Sequence, residues 1–189
     1  MKYDILLAGV GGQGVLSIAA VIATAAMKDG LYVRQSEVHG MSQRGGGVQA
    51  HLRLSDSPIS SDLIPSGKAD MILSMEPLES LRYLQWLNVD GVLVTDAKPF
   101  VNIPNYPKVE KLYEAIKVLP KSKIVEAEAL AKEAGNSKAE NMVLVGAALD
   151  FIPVKKDTII NSVKERFASK DPKLVEINCT AIELGSKAK

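Results

Sequence analysis

A chain of 189 residues is long enough to bury a substantial hydrophobic core within one domain of ordinary size. Hydrophobic residues make up 47% and charged residues 24%, proportions typical of a soluble globular protein that argue against disorder. The net charge of +1 lacks the basic excess of a general nucleic-acid-binding protein. No apolar run is long enough to span a membrane and the N-terminus has no signal-peptide pattern, so we expect a cytoplasmic protein.

The single cysteine, Cys179, excludes an internal disulfide, a four-thiolate zinc site and an iron–sulfur cluster held by this chain alone. It lies within a helical pattern, where we expect a small buried side chain rather than a nucleophile. The two histidines, His39 and His51, lack the helical spacing of a metal-binding pair. No serine, cysteine or lysine has a recognisable base partner nearby. We therefore predict no catalytic residue and no metal ligand in this chain.

Strand patterns alternate with helical patterns along the chain. Nearly continuous apolar residues at 3–8 predict a central strand covered on both faces. The alanine-rich residues 14–27 predict a helix packed closely on the sheet. Residues 48–54 alternate apolar and polar, which predicts a strand with a buried face and a half-exposed face carrying His51 and Arg53. Further strands are expected at 31–36, 69–75, 91–95 and 123–127. Further helices are expected at 77–87, 109–119, 142–149 and around 159–167. A capping-box pattern at 137–140 precedes the third of these helices, and Asp171 and Pro172 are expected to cap and begin a last one.

These elements predict an α/β fold, a three-layer sandwich with a mostly parallel, Rossmann-like sheet, an antiparallel element and C-terminal helices. The antiparallel element is expected at residues 48–54, because no helix separates this strand from the preceding one. No linker, repeat or low-complexity tract interrupts the pattern. We therefore expect residues 1–189 to form one domain.

The spacing of Gly9, Gly11 and Gly14 matches the dinucleotide-binding fingerprint and lies in the required place, between a strand and a helix. Glycines in such a turn permit the tight bend, let backbone N–H groups approach a ligand, and let the helix pack on the strand. The start of the helix adds N–H donors and a partial positive charge, which favour phosphate. We predict an anion-binding turn; the alternative is a tight turn that binds nothing.

A second glycine-rich segment, residues 37–47, follows the next strand and should lie at the same carboxyl edge of the sheet. Its consecutive glycines let the backbone approach another surface, and Arg44 offers a charged fork for phosphate or carboxylate. The two segments could form a two-sided anion pocket, unless this one is a surface loop with Arg44 in solvent. Asp96 follows another strand, where a ligand contact is possible but a turn cap is the simpler interpretation.

Both glycine segments resemble those of a known protein family. Residues 9–15, GVGGQGV, and residues 37–46, EVHGMSQRGG, are similar to the gamma subunit of 2-oxoacid:ferredoxin oxidoreductases. Asn136 with residues 141–143 resembles a later motif of that family. The resemblance covers essentially the whole chain, and the length and layout look closest to the beta subunit of indolepyruvate ferredoxin oxidoreductase. Such paired motifs are far more specific than a glycine fingerprint alone.

The resemblance implies an accessory subunit of an enzyme that oxidatively decarboxylates a 2-oxoacid to its acyl-CoA and reduces ferredoxin. Thiamine diphosphate and iron–sulfur clusters are held mainly by other subunits in that family, which implies a large partner subunit bearing both. The implied substrate is indolepyruvate or another aryl pyruvate, with pyruvate, a branched-chain oxoacid and 2-oxoglutarate open. Coenzyme A would bind at a shared site, and the expected contacts from this chain are Gly9, Gly11, Gly12, Gln13, Gly14, Gln43, Arg44, Gly45 and Gly46.

The sequence leaves two alternatives of other classes. A stand-alone NAD-dependent dehydrogenase would use Glu37 to bind the ribose hydroxyls. A nucleotide-binding regulatory module would act without any partner enzyme. The glycine density of residues 37–47 exceeds what an ordinary dehydrogenase needs, so it favours the accessory subunit. No nucleic-acid or membrane partner is expected.

Overall fold

The computed structural model describes residues 1–39 and 45–188 and contains a six-stranded sheet with helices on both faces. The strands are β1 (Lys2–Val10), β2 (Tyr32–His39), β3 (Gly47–Ser55), β4 (Ala69–Ser74), β5 (Leu87–Asp96) and β6 (Ser122–Val125). The helices are α1 (Val15–Lys28), α2 (Pro77–Arg82), α3 (Val109–Lys117), α4 (Ala127–Glu133), α5 (Glu140–Ala148), α6 (Lys156–Arg166) and α7 (Pro172–Lys187). Within this part of the chain, no helix is both long and apolar enough to cross a membrane.

The strand order across the sheet is β2-β3-β1-β4-β5-β6. β3 runs antiparallel to both of its neighbours, β2 and β1, whereas β1, β4, β5 and β6 pair in parallel. Five of these strands therefore point the same way and β3 is reversed, which confirms a mostly parallel sheet with an antiparallel element. The reversal follows from the direct connection between β2 and β3, because parallel neighbours need a longer crossover.

Side chains of β1 alternate between the two faces of the sheet and anchor a separate cluster on each face. Ile5 and Leu7 join the larger cluster, which includes α1 and α4 to α7, and Leu6 joins a smaller cluster on the side of α2 and α3. All three side chains are completely buried. The layers are therefore helix, sheet and helix, as the sequence predicted, and the C-terminal helices cover the face of the larger cluster.

The polar face of β3 is buried, so the prediction of a half-exposed face is wrong. His51 is only 3% exposed and Arg53 only 7%. Residues 56–68, which connect β3 to β4, fold back over this face. The Ile64 N–H donates to His51 Nδ1 at 3.0 Å, and Arg53 Nη1 donates to the Ser61 carbonyl at 2.9 Å. The alternating sequence of β3 shows which of its side chains are polar, but the connecting segment determines whether water reaches them.

Asp4, on the neighbouring strand β1, balances the charge of Arg53 inside the fold. Arg53 Nε lies 2.8 Å from Asp4 Oδ1 and Nη2 lies 3.2 Å from Oδ2, a two-point contact between buried groups. Such pairing is required because an unpaired buried charge is strongly destabilising. Burial lowers the pKa of His51, Arg53 lowers it further, and Asp4 opposes both effects. A lowered pKa favours the neutral imidazole, whose Nδ1 can accept the Ile64 N–H.

The helix predicted at 77–87 ends early, because α2 gives way to a 3-10 turn at Leu84–Trp86 that leads directly into β5. β5 consequently begins at Leu87, ahead of the start predicted at Gly91. A glycine inside a strand normally weakens it and suggests a boundary. Here a Cβ at Gly91 would lie 2.5 Å from Leu87 Cδ1 and 3.1 Å from the Ala69 carbonyl oxygen, so glycine is the residue that fits this position without displacing its neighbours.

Two helix N-caps were predicted in the C-terminal part of the chain, and one is confirmed while the other is wrong. Asp171 Oδ1 accepts a hydrogen bond from the Lys173 N–H at 2.9 Å, as expected for the cap of α7. The capping box at 137–140 does not form. Instead, Asn136 Oδ1 accepts from the Lys138 N–H at 3.0 Å and starts a short 3-10 turn that continues into α5.

Helices α5 and α7 cross with their backbones in contact. A Cβ atom on Gly146 would overlap the carbonyl oxygen of Ile182, and one on Gly185 would overlap the carbonyl oxygen of Val143. Both obstacles are backbone atoms, so no change of rotamer can relieve the overlap. The two glycines thus allow the close approach that buries Val143 and Ile182 completely.

Replacing Gly146 with alanine should lower the free energy of unfolding by about 3 kcal/mol, the upper end of typical over-packing costs, because α5 and α7 must separate. The better helix propensity of alanine, about 1 kcal/mol, offsets only part of this loss. Urea unfolding measures the change. Glu183→Ala, an exposed site on α7, is the matched control and should stay within about 0.5 kcal/mol of wild type. Equal stability of Gly146→Ala and wild type would contradict the close crossing.

Candidate functional site

The glycine turn between β1 and α1 needs glycine for two different reasons. Gly12 (φ 103°) and Gly14 (φ 81°) adopt left-handed backbone conformations that other residues rarely take. Gly9 is required for space, because a Cβ there would lie 2.8 Å from Val15 Cγ2. The glycine pattern therefore fits both the sharp turn and the close packing of α1 on the end of β1.

Gln13 closes this turn from within. Its side-chain Oε1 accepts from the Val10 N–H at 2.7 Å, and its Nε2 donates to the Met75 carbonyl at 3.1 Å. The Gln13 N–H also donates to the Val10 carbonyl at 3.0 Å. These bonds fasten the turn to the end of β4. They give Gln13 a structural role, and its contact with a ligand stays a prediction.

The second glycine segment is hydrogen-bonded to the first. The Gly11 N–H donates to the Gly46 carbonyl at 2.8 Å, and the Gly45 N–H donates to the Gly11 carbonyl at 3.3 Å. The two segments therefore lie together at the carboxyl edge of the sheet, as their positions after β1 and β2 predicted. Gln43 and Arg44, which the sequence assigns to the same site, lie outside the described residues.

The start of α1 faces this edge. Gly14 occupies the N-cap position, and no side chain among the described residues caps the helix. The first turn contains no acidic residue, and Asn141 Nδ2 donates to the Gly14 carbonyl at 3.3 Å. A helix N-terminus whose first N–H groups have no described side-chain partner offers those groups and a partial positive charge to an anion.

Two cavities meet at the glycine turn, and Gly12 and Gly14 line both. A Cβ on Gly12 would meet no atom within 4 Å, so the backbone is open to a ligand there. The first cavity, about 360 Å³, is also lined by Val10, Gly11, Val15, Leu16, Glu37 and Val48. The second, about 390 Å³, is also lined by Gln13, Asp96, Lys98, Pro99, Phe100, Lys138, Glu140 and Asn141.

The position of Glu37 departs from that of an NAD-binding site. In the dinucleotide fold the acidic residue lies about 20 residues beyond the glycine turn and binds the ribose hydroxyls. Here Glu37 lies on β2, and β3 is inserted between β2 and the strand that carries the glycine turn. Glu37 still lines the first cavity. The inserted strand therefore weakens the dehydrogenase alternative without removing Glu37 from the site.

Asp96, at the carboxyl end of β5, caps a turn as the sequence suggested. Its Oδ1 accepts from the Lys98 N–H at 3.2 Å and from the Ala127 N–H at 3.3 Å. Only 2% of the residue is exposed, and this burial raises the pKa of Asp96 to about 6. Its backbone hydrogen bonds oppose the rise, and nearby Glu140 adds to it. The second cavity thus has a wall whose charge changes near neutral pH.

Sequence reasoning missed Glu76, which is 1% exposed at the end of β4. Its Oε2 accepts from the Glu79 N–H at 2.8 Å, which caps α2. Its Oε1 accepts from the Phe100 N–H at 3.2 Å and from the Tyr106 hydroxyl. Pro77 at the start of α2 marks Glu76 as a cap, but no local pattern signals the contacts with residues 100 and 106. Burial and the bond to Glu76 raise the pKa of Tyr106, which stays a donor.

No group of three or more His, Cys, Asp or Glu side chains within residues 1–39 and 45–188 is placed to hold a metal ion. Cys179 is half-buried and packs against the larger cluster, in keeping with a structural side chain. Burial raises the pKa of its thiol, so it is not an activated nucleophile.

The sequence pattern of the pyruvate ferredoxin/flavodoxin oxidoreductase family matches residues 4–188. The chain belongs to this family. The indolepyruvate oxidoreductase subunit IorB of Pyrococcus horikoshii is 39% identical, over 99% of this chain and 96% of its own. These near-complete matches agree with the resemblance carried by the two glycine segments.

Solved structures in this family share the fold. The gamma subunit of a keto/oxoacid ferredoxin oxidoreductase from Geobacter sulfurreducens is 25% identical, with a TM-score of 0.71 over 97% of this chain and 95% of that one. The 2-oxoglutarate:ferredoxin oxidoreductase of Magnetococcus marinus, solved with 2-oxoglutarate, coenzyme A and succinyl-CoA, matches with a TM-score of 0.76 at 18% identity. That match covers 98% of this chain but 30% of the other, so the same fold occurs as part of a longer polypeptide.

Asp96→Asn should gain stability relative to wild type as the pH rises from 5 to 8, by about 1 kcal/mol. The folded-state pKa lies above that of the unfolded chain, so the favourable contribution of protonated Asp96 is lost as the pH rises through about 6. Asparagine imitates the protonated acid and keeps the Oδ1 acceptor. Urea unfolding at both pH values gives the difference, with exposed Asp150→Asn as the control. A wild-type-to-variant difference that does not change with pH would contradict the raised pKa.

Proposed function

We propose that this protein is the small, gamma-type subunit of an oxidoreductase that decarboxylates indolepyruvate, another aryl pyruvate or pyruvate to its acyl-CoA while reducing ferredoxin. The observation that carries the proposal is the end-to-end likeness to the P. horikoshii subunit named for indolepyruvate. On this proposal residues 1–189 form one gamma-type domain and the complex acts in the cytoplasm.

The work of the complex would be divided between chains. A large subunit would hold thiamine diphosphate, which supplies the carbanion chemistry of decarboxylation, and the iron–sulfur clusters that pass electrons to ferredoxin. This chain has a single cysteine, too few thiolates for a cluster. Its own part would be to assemble with the large subunit and to complete the coenzyme A site. We therefore expect the isolated chain to be inactive.

The glycine turn is the part of this chain that suits a phosphate-bearing ligand such as coenzyme A. The open backbone at Gly12 and the start of α1, which no side chain within residues 1–39 and 45–188 caps, support this choice. Gly45 and Gly46 border the turn through their bonds to Gly11. On this proposal the glycines of both segments contact coenzyme A phosphates together with Gln13, Gln43 and Arg44, and Gln13 also holds the turn in shape.

Co-purification with the large subunit tests the proposed function. We expect the two chains to form a stable complex, and ferredoxin reduction that depends on a 2-oxoacid and coenzyme A only when both are present. Comparing indolepyruvate, phenylpyruvate, pyruvate and 2-oxoglutarate as substrates identifies the 2-oxoacid. Substrate-dependent reduction of NAD by this chain alone would refute the proposal in favour of the dehydrogenase.

Arg44→Ala should raise the KM for coenzyme A in the complex by about tenfold or more, because a hydrogen bond to a charged group contributes about 1.5–3 kcal/mol. The measurement is ferredoxin reduction as a function of coenzyme A concentration. Arg34→Ala is the matched control, since Arg34 lies near the opposite end of β2 and pairs with Asp62 at 3.7 Å. An unchanged KM for Arg44→Ala would reject the phosphate contact and leave the subunit assignment intact.

A further inference from the structure

Residues 98–107, here called the rim segment, place apolar side chains in solvent beside the candidate site. Val101 is 69% exposed, Phe100 41% and Ile103 38%. Single exposed apolar residues are ordinary on a protein surface, but three within four positions form a patch. Residues 99–107 contain no charged side chain. Aromatic and aliphatic residues without charges are typical of the centre of a protein–protein interface.

The rim segment is held in place rather than loosely attached. The buried Glu76 carboxylate accepts from the Phe100 N–H at 3.2 Å and from the Tyr106 hydroxyl, so it binds both halves of the segment. Between them, Asn102 Nδ2 donates to the Gly45 carbonyl at 2.8 Å. These bonds fix the backbone while the apolar side chains point outward. A surface fixed in advance loses less conformational entropy when a partner binds.

The rim segment also adjoins both parts of the candidate site. Phe100 lines the second cavity together with Gly12 and Gly14. Asn102 bonds to Gly45, which itself pairs with Gly11 of the glycine turn. A protein that covers the rim segment would therefore border the glycine turn and enclose its open side.

We infer that the rim segment is the surface that docks the large subunit of the complex, and that Glu76 is the residue that positions it. The inference rests on the proposed function and adds the place where the partner binds. In the M. marinus enzyme this fold accounts for 30% of the chain, so the same fold occurs joined to further polypeptide, which supports a large partner as the occupant of this surface. The matching surface on the large subunit is expected to be apolar and uncharged, since a charge buried against residues 99–107 would find no ionic partner there.

The double variant Val101→Ser/Ile103→Ser tests the surface in the full complex. We expect the Kd for the large subunit to rise at least about tenfold, because apolar side chains at the centre of an interface carry much of the binding free energy. The matched control is Val89→Ser/Val118→Ser, whose side chains are 92% and 84% exposed near the opposite edge of the sheet. This control should change the Kd less than about twofold, and thermal melting of each isolated chain verifies its fold.

Tyr106→Phe tests the positioning role of Glu76 because it removes one of the donors to the carboxylate without touching the exposed patch. We expect a severalfold rise in Kd and an unchanged kcat at saturating large subunit. If the wild-type complex forms and the double variant binds equally well, the docking surface is wrong and the proposed function stands. If wild type does not bind the large subunit, both are wrong. Loss of self-association instead of large-subunit binding would assign the surface to a second copy of this chain.

Discussion

Two backbone hydrogen bonds between glycine segments determine the layout of this protein's carboxyl edge. Gly11 bonds through its N–H to Gly46 and through its carbonyl to Gly45, which continues the pairing of β1 with β3 beyond the ends of the strands. A strand beside β1 can begin at the carboxyl end of β1 only if it runs antiparallel to β1. The insertion of β3 therefore brings the second glycine segment against the first, whereas a sheet with β2 beside β1 would separate the reversed strand from the glycine turn.

Polar side chains that are buried or half-buried stabilise the backbone at that edge. Gln13 fastens the turn to the end of β4, Glu76 fastens the rim segment to the same strand end, and Asp96 joins β5 to α4. Each buried polar group would be costly without partners, and each has them. Contacts between different elements fix the backbone around both cavities before any ligand arrives. Such preorganisation suits a chain that contributes a binding surface rather than reacting groups.

The sequence predicted well what depends on local pattern and on general rules of chain topology. The apolar run at residues 3–8 and the alanine-rich residues 14–27 became β1 and α1, and both glycine segments lie at the edge where parallel strands end. Features that depend on distant contacts were missed. The burial of His51 follows from the path of the connection between β3 and β4, and the contacts of Glu76 span more than twenty residues of chain.

Within the candidate site the same division applies. The need for Gly9 and Gly14 could be predicted, because a tight strand–helix turn requires close packing at the one and a left-handed backbone at the other. The bonds of the Gln13 amide could not be predicted, because its acceptor, the Met75 carbonyl, follows the end of a different strand, β4. The roles of Gln43 and Arg44 stay predictions from sequence. The family resemblance supplied the function, which glycine spacing alone would have assigned to a dehydrogenase.

The crossing of α5 and α7 has a consequence for how this sequence can change over time. Gly146 and Gly185 each lie against a backbone carbonyl oxygen of the other helix, so both are needed for the same short distance between α5 and α7. Once one glycine is replaced and the helices move apart, much of the steric reason for the other disappears, so the two losses should be strongly non-additive. The pair would then tend to be kept or abandoned together, and a lineage that lost one would have little to prevent it from losing the second.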